Sequence, residues 1–266
     1  MTGPAPAKIN LALVVGPVRD DGKHELATVY QRLDLGDRIA VEPANKTTVD
    51  GFDDTIVRTA LDLLPAPHGW AVRIEKRTPV AAGLGGGSSD AATALRLANA
   101  QLETPLAPDA LHSLAAQVGA DVPFFLYDGP QLGTGDGAVL EPLDLPQDFA
   151  VLLVLPDGAT KPSTKAVYDA FEARDGGAGY EARCADLREA LARIRRPRDL
   201  AALPPNDLVH SPLAVALLAA GAFRADVTGA GPAVYGLFHS TADANDAAHA
   251  LRDVGRTWVT VPAWYG

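Results

Sequence analysis

Residues 79 to 90 read Pro-Val-Ala-Ala-Gly-Leu-Gly-Gly-Gly-Ser-Ser-Asp, a glycine loop set between a strand-like run and an alanine-rich helical run. Chains build phosphate cradles in that order, so the segment points to nucleotide chemistry. Gly83, Gly85, Gly86 and Gly87 lack the Cβ atoms that would keep backbone amides away from phosphate oxygens, and Ser88 and Ser89 add hydroxyl donors at a helix start. The spacing excludes two common cradles: no lysine follows the glycines as in a Walker A loop, and Ser88 stands where the dinucleotide fingerprint needs glycine. Without a ligand the segment would be a tight strand-to-helix turn. Four glycines in five positions exceed what a turn requires and cost chain entropy on ordering.

At 266 residues the chain is long for one average domain and comfortable as two lobes. Pro142, Asp144, Pro146 and Asp148 read as a linker, which places a boundary near residue 147 and gives lobes of 1–147 and 148–266. A formal charge of -10 argues against nucleic acid or an anionic membrane as partner, while leaving room for a local cationic pocket. The single cysteine, Cys184, excludes an intrachain disulfide and a thiolate-rich metal site and fits a reducing compartment. No charged-then-apolar leader and no bilayer-spanning run is visible, so a cytoplasmic protein with a small-molecule substrate is expected, as a monomer or a homodimer.

Residues 7 to 15 alternate, with Ile9, Leu11, Leu13 and Val15 on one face and Lys8, Asn10 and Ala12 on the other. Further extended segments are predicted over His24 to Leu35, Arg38 to Glu42 and Trp70 to Ile74. Helical spacing appears over Thr55 to Leu64, Ser89 to about Leu102 and Asp109 to Val118. After the linker come a short apolar strand over Ala150 to Leu155 and helices near Thr164 to Arg174, Ala185 to Ile194 and Pro212 to Ala220. Strands flank Thr228-Gly229-Ala230-Gly231-Pro232, then a helix over Ala242 to Val254 leads to a strand over Thr257 to Val261. The mixture predicts an α+β fold of split βαβ type.

Asp121 stands between a glycine helix terminator, Gly119, and a Pro-Phe-Phe run. Its carboxylate suits either a general base at a partly desolvated rim or a helix or turn cap. Lys8 on an alternating strand reads alone as one residue of a solvated face. Together with the loop they form a sufficient kit for phosphoryl transfer, which needs held phosphates, neutralised charge and an oriented nucleophile. Gly229-Ala230-Gly231 reads first as a hairpin turn and second as backbone able to approach a ligand or the first loop. No i, i+4 histidine pair and no Gly-x-Ser-x-Gly elbow occurs, so metalloprotease and serine-hydrolase readings are weak.

The succession Pro6 to Leu11, Asp21 to Leu26, Pro79 to Ala92, Gly119 to Phe125 and Thr228 to Pro232 resembles the GHMP small-molecule kinases. The resemblance runs from about residue 5 to about residue 240. It implies a first lobe like domain 2 of ribosomal protein S5, a ferredoxin-like second lobe, and an active site between them. The expected activity is ATP-dependent phosphorylation of the 2-hydroxyl of 4-diphosphocytidyl-2-C-methyl-D-erythritol, in non-mevalonate isoprenoid synthesis. By the same resemblance Asp121 is the base and Lys8 its partner, and Pro79, Gly83, Leu84, Gly85, Gly86, Gly87, Ser88 and Ser89 wrap ATP. Asn10, His24, Thr164 and Tyr168 face the acceptor, His24 towards the cytosine edge and Tyr168 stacking on the base. Mg²⁺ is expected on the ATP phosphates, with no protein metal ligand assigned.

Two departures from the family pattern stand out. Lys23 occupies a position where an aromatic ring is usual, so one face of the expected base sandwich is replaced by methylenes and an ammonium; ring stacking is worth about 1–3 kcal/mol per base. Asp54 stands where asparagine is usual. Two alternatives stay open: a GHMP kinase for another alcohol, with Lys23 meeting an anionic acceptor, and a catalytically silent ligand sensor of the same fold.

Overall fold

A computed structural model describes residues 1–52, 55–159 and 163–263; Asp54, Pro162 and Trp264 lie outside the described residues. In chain order the strands and helices are β1 (Thr2–Val18), β2 (His24–Ala44), β3 (Thr48–Asp50), α1 (Thr55–Asp62), β4 (Gly69–Glu75), α2 (Gly86–Asn99) and α3 (Pro108–Val118). They continue with β5 (Gln131–Gly135), β6 (Val139–Pro142), β7 (Ala150–Pro156), α4 (Thr164–Glu172), α5 (Tyr180–Arg193) and α6 (Pro212–Ala219). The last elements are β8 (Arg224–Val227), β9 (Val234–Phe238), α7 (Thr241–Ala250) and β10 (Gly255–Thr260).

Two sheets result. The larger is ordered β3-β4-β2-β5-β6, with β1 paired antiparallel along β2; the smaller is ordered β10-β7-β9-β8 and is antiparallel throughout. Strict alternation along β7 sorts its side chains into two cores. Val151 and Leu153 join Ile9, Leu11 and Val29 in a core shared by both sheets, while Ala150, Leu152 and Val154 pack with α6 and α7. A third core lies under α1, α2 and α3, where alanines of α2 (Ala91, Ala94, Ala98) allow the helix close against Ile39, Val41 and Trp70. Leu145 and Phe149 of the Pro-rich connection are buried in the core shared by the sheets.

Two expectations are corrected. The segments over His24 to Leu35 and Arg38 to Glu42 are one strand, because Gly36 carries β2 past β1 without a break. A Cβ there would lie 2.6 Å from the Ala5 carbonyl oxygen, so glycine marks a close approach of strands and not a turn. The polar face of β1 is not solvated: Lys8 is 3% and Asn10 4% exposed. Loops from elsewhere in the chain cover the edge of β1. Lys8 N–H donates to Leu84 O at 2.9 Å, Asn10 N–H to Thr228 Oγ1 at 3.2 Å and Val15 N–H to Asp207 Oδ2 at 2.9 Å.

Candidate active site

The glycine loop leaves β4 and enters α2 through two left-handed glycines, Gly83 at φ 85° and Gly85 at φ 70°. Both are required by close approach as well as by backbone conformation. A Cβ on Gly83 would sit 2.4 Å from Thr228 O, and one on Gly85 would sit 2.9 Å from the Phe125 ring and 3.0 Å from Lys8 Cγ. Gly85 caps α2 without a side-chain hydrogen bond, and the first turn, Gly86-Gly87-Ser88, carries no acidic residue. Its amides and the positive end of the helix dipole therefore face the cleft as an anion site.

The Thr228 to Gly231 turn joins β8 to β9 as a hairpin and also docks on this loop. Thr228 Oγ1–H donates to Gly83 O at 3.3 Å, and Ala233 N–H donates to Ala82 O at 3.1 Å. The two readings left open for that glycine turn thus hold together.

Below the loop lies a buried charge cluster that the sequence reading missed. Lys76 Nζ donates to Asp37 Oδ2 at 2.7 Å and to Asp90 Oδ2 at 2.8 Å, and Asp37 also accepts from the Arg77 and Thr78 amides. Burial, followed by the charge of Asp37, pushes the Asp90 carboxyl up to about 8 despite Lys76. An unfolded Asp titrates near ~3.9, so the folded chain holds this proton more tightly. That contribution to stability is complete below pH ~4 and is lost as pH rises towards 8. Asp90→Asn removes the dependence; its unfolding free energy relative to wild type should rise by roughly 2–4 kcal/mol between pH 4.5 and 8.5. Thermal melts at the two pH values check this, and parallel shifts at both would contradict it.

Lys8 and Asp121 meet in the same cleft. Lys8 Nζ is 2.7 Å from Asn10 Oδ1 and 3.4 Å from Asp121 Oδ2, while Asn10 Nδ2 donates to Thr28 Oγ1 at 2.8 Å. Asp121, its side chain 34% exposed, precedes the 3-10 turn Pro123–Leu126, whose phenylalanines anchor it in the core. The cleft encloses about 880 Å³, a typical ligand size. Its wall includes Pro79, Gly83 to Ser88 and Asp121 on one side and Thr164 and Tyr168 of α4 on the other. Ser89 is placed differently from the expectation: it is fully buried and its Oγ has no hydrogen-bond partner among the described residues.

On the acceptor side, Ser163 caps α4 by accepting from the Ala166 amide, which sets Thr164 in the first turn at the cleft edge. The Tyr168 ring lies 4.8 Å from the His24 ring, tilted by 30°; burial, then the charge of Asp121, raises its hydroxyl to about 12. His24 is buried, with Nδ1 2.9 Å from Gly16 O and Nε2 2.9 Å from Glu172 Oε1, so both ring nitrogens have protein partners. Lys23 Nζ donates to Asp136 Oδ2 at 2.6 Å. Burial acts to raise the Asp136 carboxyl, yet Lys23 and the Ala138 amide hold it below the usual range. Glu172 and Asp136 carried no local signal in the sequence.

A two-lobed α+β fold with a glycine phosphate loop facing a Lys-Asp pair defines a small-molecule kinase. Residues 54–129 match the model of the GHMP kinases N terminal domain and residues 213–257 that of the GHMP kinases C terminal domain. The 4-diphosphocytidyl-2-C-methyl-D-erythritol kinase of Anaeromyxobacter dehalogenans (strain 2CP-C) is 40% identical, over 93% of this chain and 84% of that relative. Its namesake from Salinispora arenicola (strain CNS-205) is 37% identical over 92% and 86%. A crystal structure of 4-(cytidine 5'-diphospho)-2C-methyl-D-erythritol kinase superposes with TM-score 0.77 at 34% identity, covering 99% of this chain and 100% of that one. A mevalonate kinase, at 13% identity and TM-score 0.73, shares the fold. The chain belongs to the GHMP kinases, and within them to the 4-diphosphocytidyl-2-C-methyl-D-erythritol kinase family.

Proposed function

We propose that this protein transfers the γ-phosphoryl group of ATP to the 2-hydroxyl of 4-diphosphocytidyl-2-C-methyl-D-erythritol, a cytoplasmic step of non-mevalonate isoprenoid synthesis. The observation that carries the reading is the Lys8–Asp121 pair, 3.4 Å apart in one cleft with the open first turn of α2. The cradle fits phosphate, because the first turn of α2 lines the cleft with no acidic residue, and Gly85 and Gly86 let its backbone pack against Lys8, Phe125, Lys76 and Thr78. Bound there by the amides of Gly86, Gly87 and Ser88, ATP would supply the phosphoryl group, and Mg²⁺ would offset its phosphate charge. Among the described residues no group of three or more His, Cys, Asp or Glu could hold a metal ion.

Asp121 takes the acceptor proton as the hydroxyl oxygen forms its bond to the γ-phosphorus and the bond from that phosphorus to the β–γ bridging oxygen breaks, releasing ADP; the Lys8 ammonium balances the carboxylate before transfer. Asn10 holds Lys8 in place from two positions further along β1, on the same face. Thr164, Tyr168, His24 and Lys23 form the acceptor half. The ammonium of Lys23 is bonded to Asp136, which weakens the alternative in which it meets an anionic acceptor. Among the described residues no helix is long and apolar enough to cross a membrane.

The test is a panel of acceptors, the cytidyl alcohol, mevalonate, homoserine and a hexose, with ADP release and phosphorus NMR of the product. Turnover is expected on the cytidyl alcohol with phosphate on the 2-oxygen. Higher kcat/KM on any other acceptor would overturn the substrate, and ATP binding with no transfer to any would favour the sensor.

A further inference from the structure

Tyr30 belongs to none of the motifs that the fold and the proposed chemistry use, yet its hydroxyl ends on the base. It projects from β2, is 1% exposed, and donates from its hydroxyl to Asp121 Oδ1 at 3.0 Å. Lys8 occupies the other oxygen, Oδ2, and its Nζ also lies 5.6 Å from the centre of the Tyr30 ring. The carboxylate therefore has a hydrogen-bond donor on one oxygen and an ion pair on the other, from two adjacent strands. A lone salt bridge would leave it free to rotate about the Cβ–Cγ bond.

The surroundings are shaped to seat this ring and its oxygen. Tyr30 stacks on Phe124, three residues beyond Asp121, with centroids 4.7 Å apart and planes 26° from parallel. The β5–β6 hairpin passes over the other side with glycines at the two contacts. A Cβ on Gly133 would lie 2.5 Å from the Tyr30 ring, and one on Gly137 would lie 2.7 Å from its hydroxyl oxygen. Gly137 follows Asp136, the partner of Lys23, so the hairpin that seats Tyr30 also forms the acceptor rim. Burial, followed by the charge of Asp121, raises the Tyr30 hydroxyl well above its ordinary value, which keeps it a donor throughout the working pH range.

We propose that Tyr30 is a positioning residue for the phosphoryl transfer: its hydroxyl fixes the Asp121 carboxylate so that the remaining lone pair of Oδ1 or Oδ2 meets the acceptor hydroxyl. This rests on Asp121 being the base. A hydrogen bond to a charged group in such a setting is stronger than one between neutral groups, and a donor on a carboxylate favours its ionised form. The charged and titratable groups facing Asp121 are Lys8 from β1, Tyr168 from α4 and, beyond Tyr30, Asp136 from the β5–β6 hairpin.

Tyr30→Phe deletes one oxygen and keeps the stacked ring. The expected result is a kcat lower by roughly tenfold with KM for ATP and acceptor within about twofold. Gly137→Ala, which leaves Tyr30 in place and crowds its hydroxyl, is the second variant and should lower kcat in the same direction, again with both KM values within about twofold. Unchanged kcat in a folded Tyr30→Phe protein overturns the proposal, as does a loss shared equally by kcat and both KM values. If Asp121→Asn keeps turnover, the assignment of the base fails; if Asp121→Asn loses turnover and Tyr30→Phe does not, this inference alone fails.

Discussion

Asp121→Asn should lower kcat by roughly 10²- to 10⁴-fold, the range for removal of a positioned general base, while ATP affinity stays within about twofold. Asparagine keeps the shape of the side chain and one oxygen to accept from Tyr30 or Lys8, so packing before the Pro123–Leu126 turn is retained. What it loses is the ability to take a proton from the acceptor hydroxyl. ATP affinity should survive because the proposed phosphate site, the first turn of α2, lies on a different element. Among the described residues none of the loop's hydrogen bonds runs to Asp121: Leu84 O accepts from Lys8 N–H and Gly83 O from Thr228. Steady-state kinetics with ADP release and calorimetric titration with a non-hydrolysable ATP analogue separate the two effects. A kcat within tenfold of wild type would remove Asp121 from the role of base.

Lys8, Asp121 and the glycine loop were legible because each carries a local signal: a polar residue on an apolar strand, an Asp beside a helix terminator, glycines at a helix start. Their environment was not. Alternation along β1 predicts a wet face for Lys8, since a strand pattern reports only on the pleat. The loops that cover the face arrive from residues 84, 207 and 228. Tyr30 is separated from Asp121 by 91 positions and Lys76 from Asp37 by 39, and a polar residue inside a strand pattern gives no sign of which distant partner justifies its burial. Gly36 shows the opposite error. The break expected between Leu35 and Arg38 is absent, because the close contact with Ala5 makes Gly36 the residue that lets β2 continue. Helix bounds moved by only a few residues; α2 starts at Gly86, three residues before the predicted Ser89, because glycines entering the first turn look like loop.

Gly83→Ala should damage ATP binding and stability together, because Gly83 is where the proposed phosphate loop rests on the Thr228 turn. Two costs add there. A left-handed alanine costs roughly 1–2 kcal/mol. In addition its Cβ would fall 2.4 Å from Thr228 O and 3.1 Å from Gly231 O, both backbone atoms with no side chain to yield. Relief requires the loop and the Thr228 turn to part. That strains the Ala233 N–H to Ala82 O bond and the contacts by which Thr228 Oγ1 touches both Gly83 O and Asn10 N–H. Gly158→Ala is the control, since Gly158 is also left-handed, at φ 67°, but has nothing within 4 Å of its virtual Cβ. At roughly 2–4 °C per kcal/mol for a chain near this size, Gly158→Ala should lose a few degrees of Tm with kinetics unchanged. Gly83→Ala should lose at least twice as much and raise KM for ATP by about tenfold or more. Equal losses in the two variants would mean that the loop tolerates separation from the second lobe. In that case the contact would contribute only backbone conformation, and the phosphate site would have to be built by the first lobe alone.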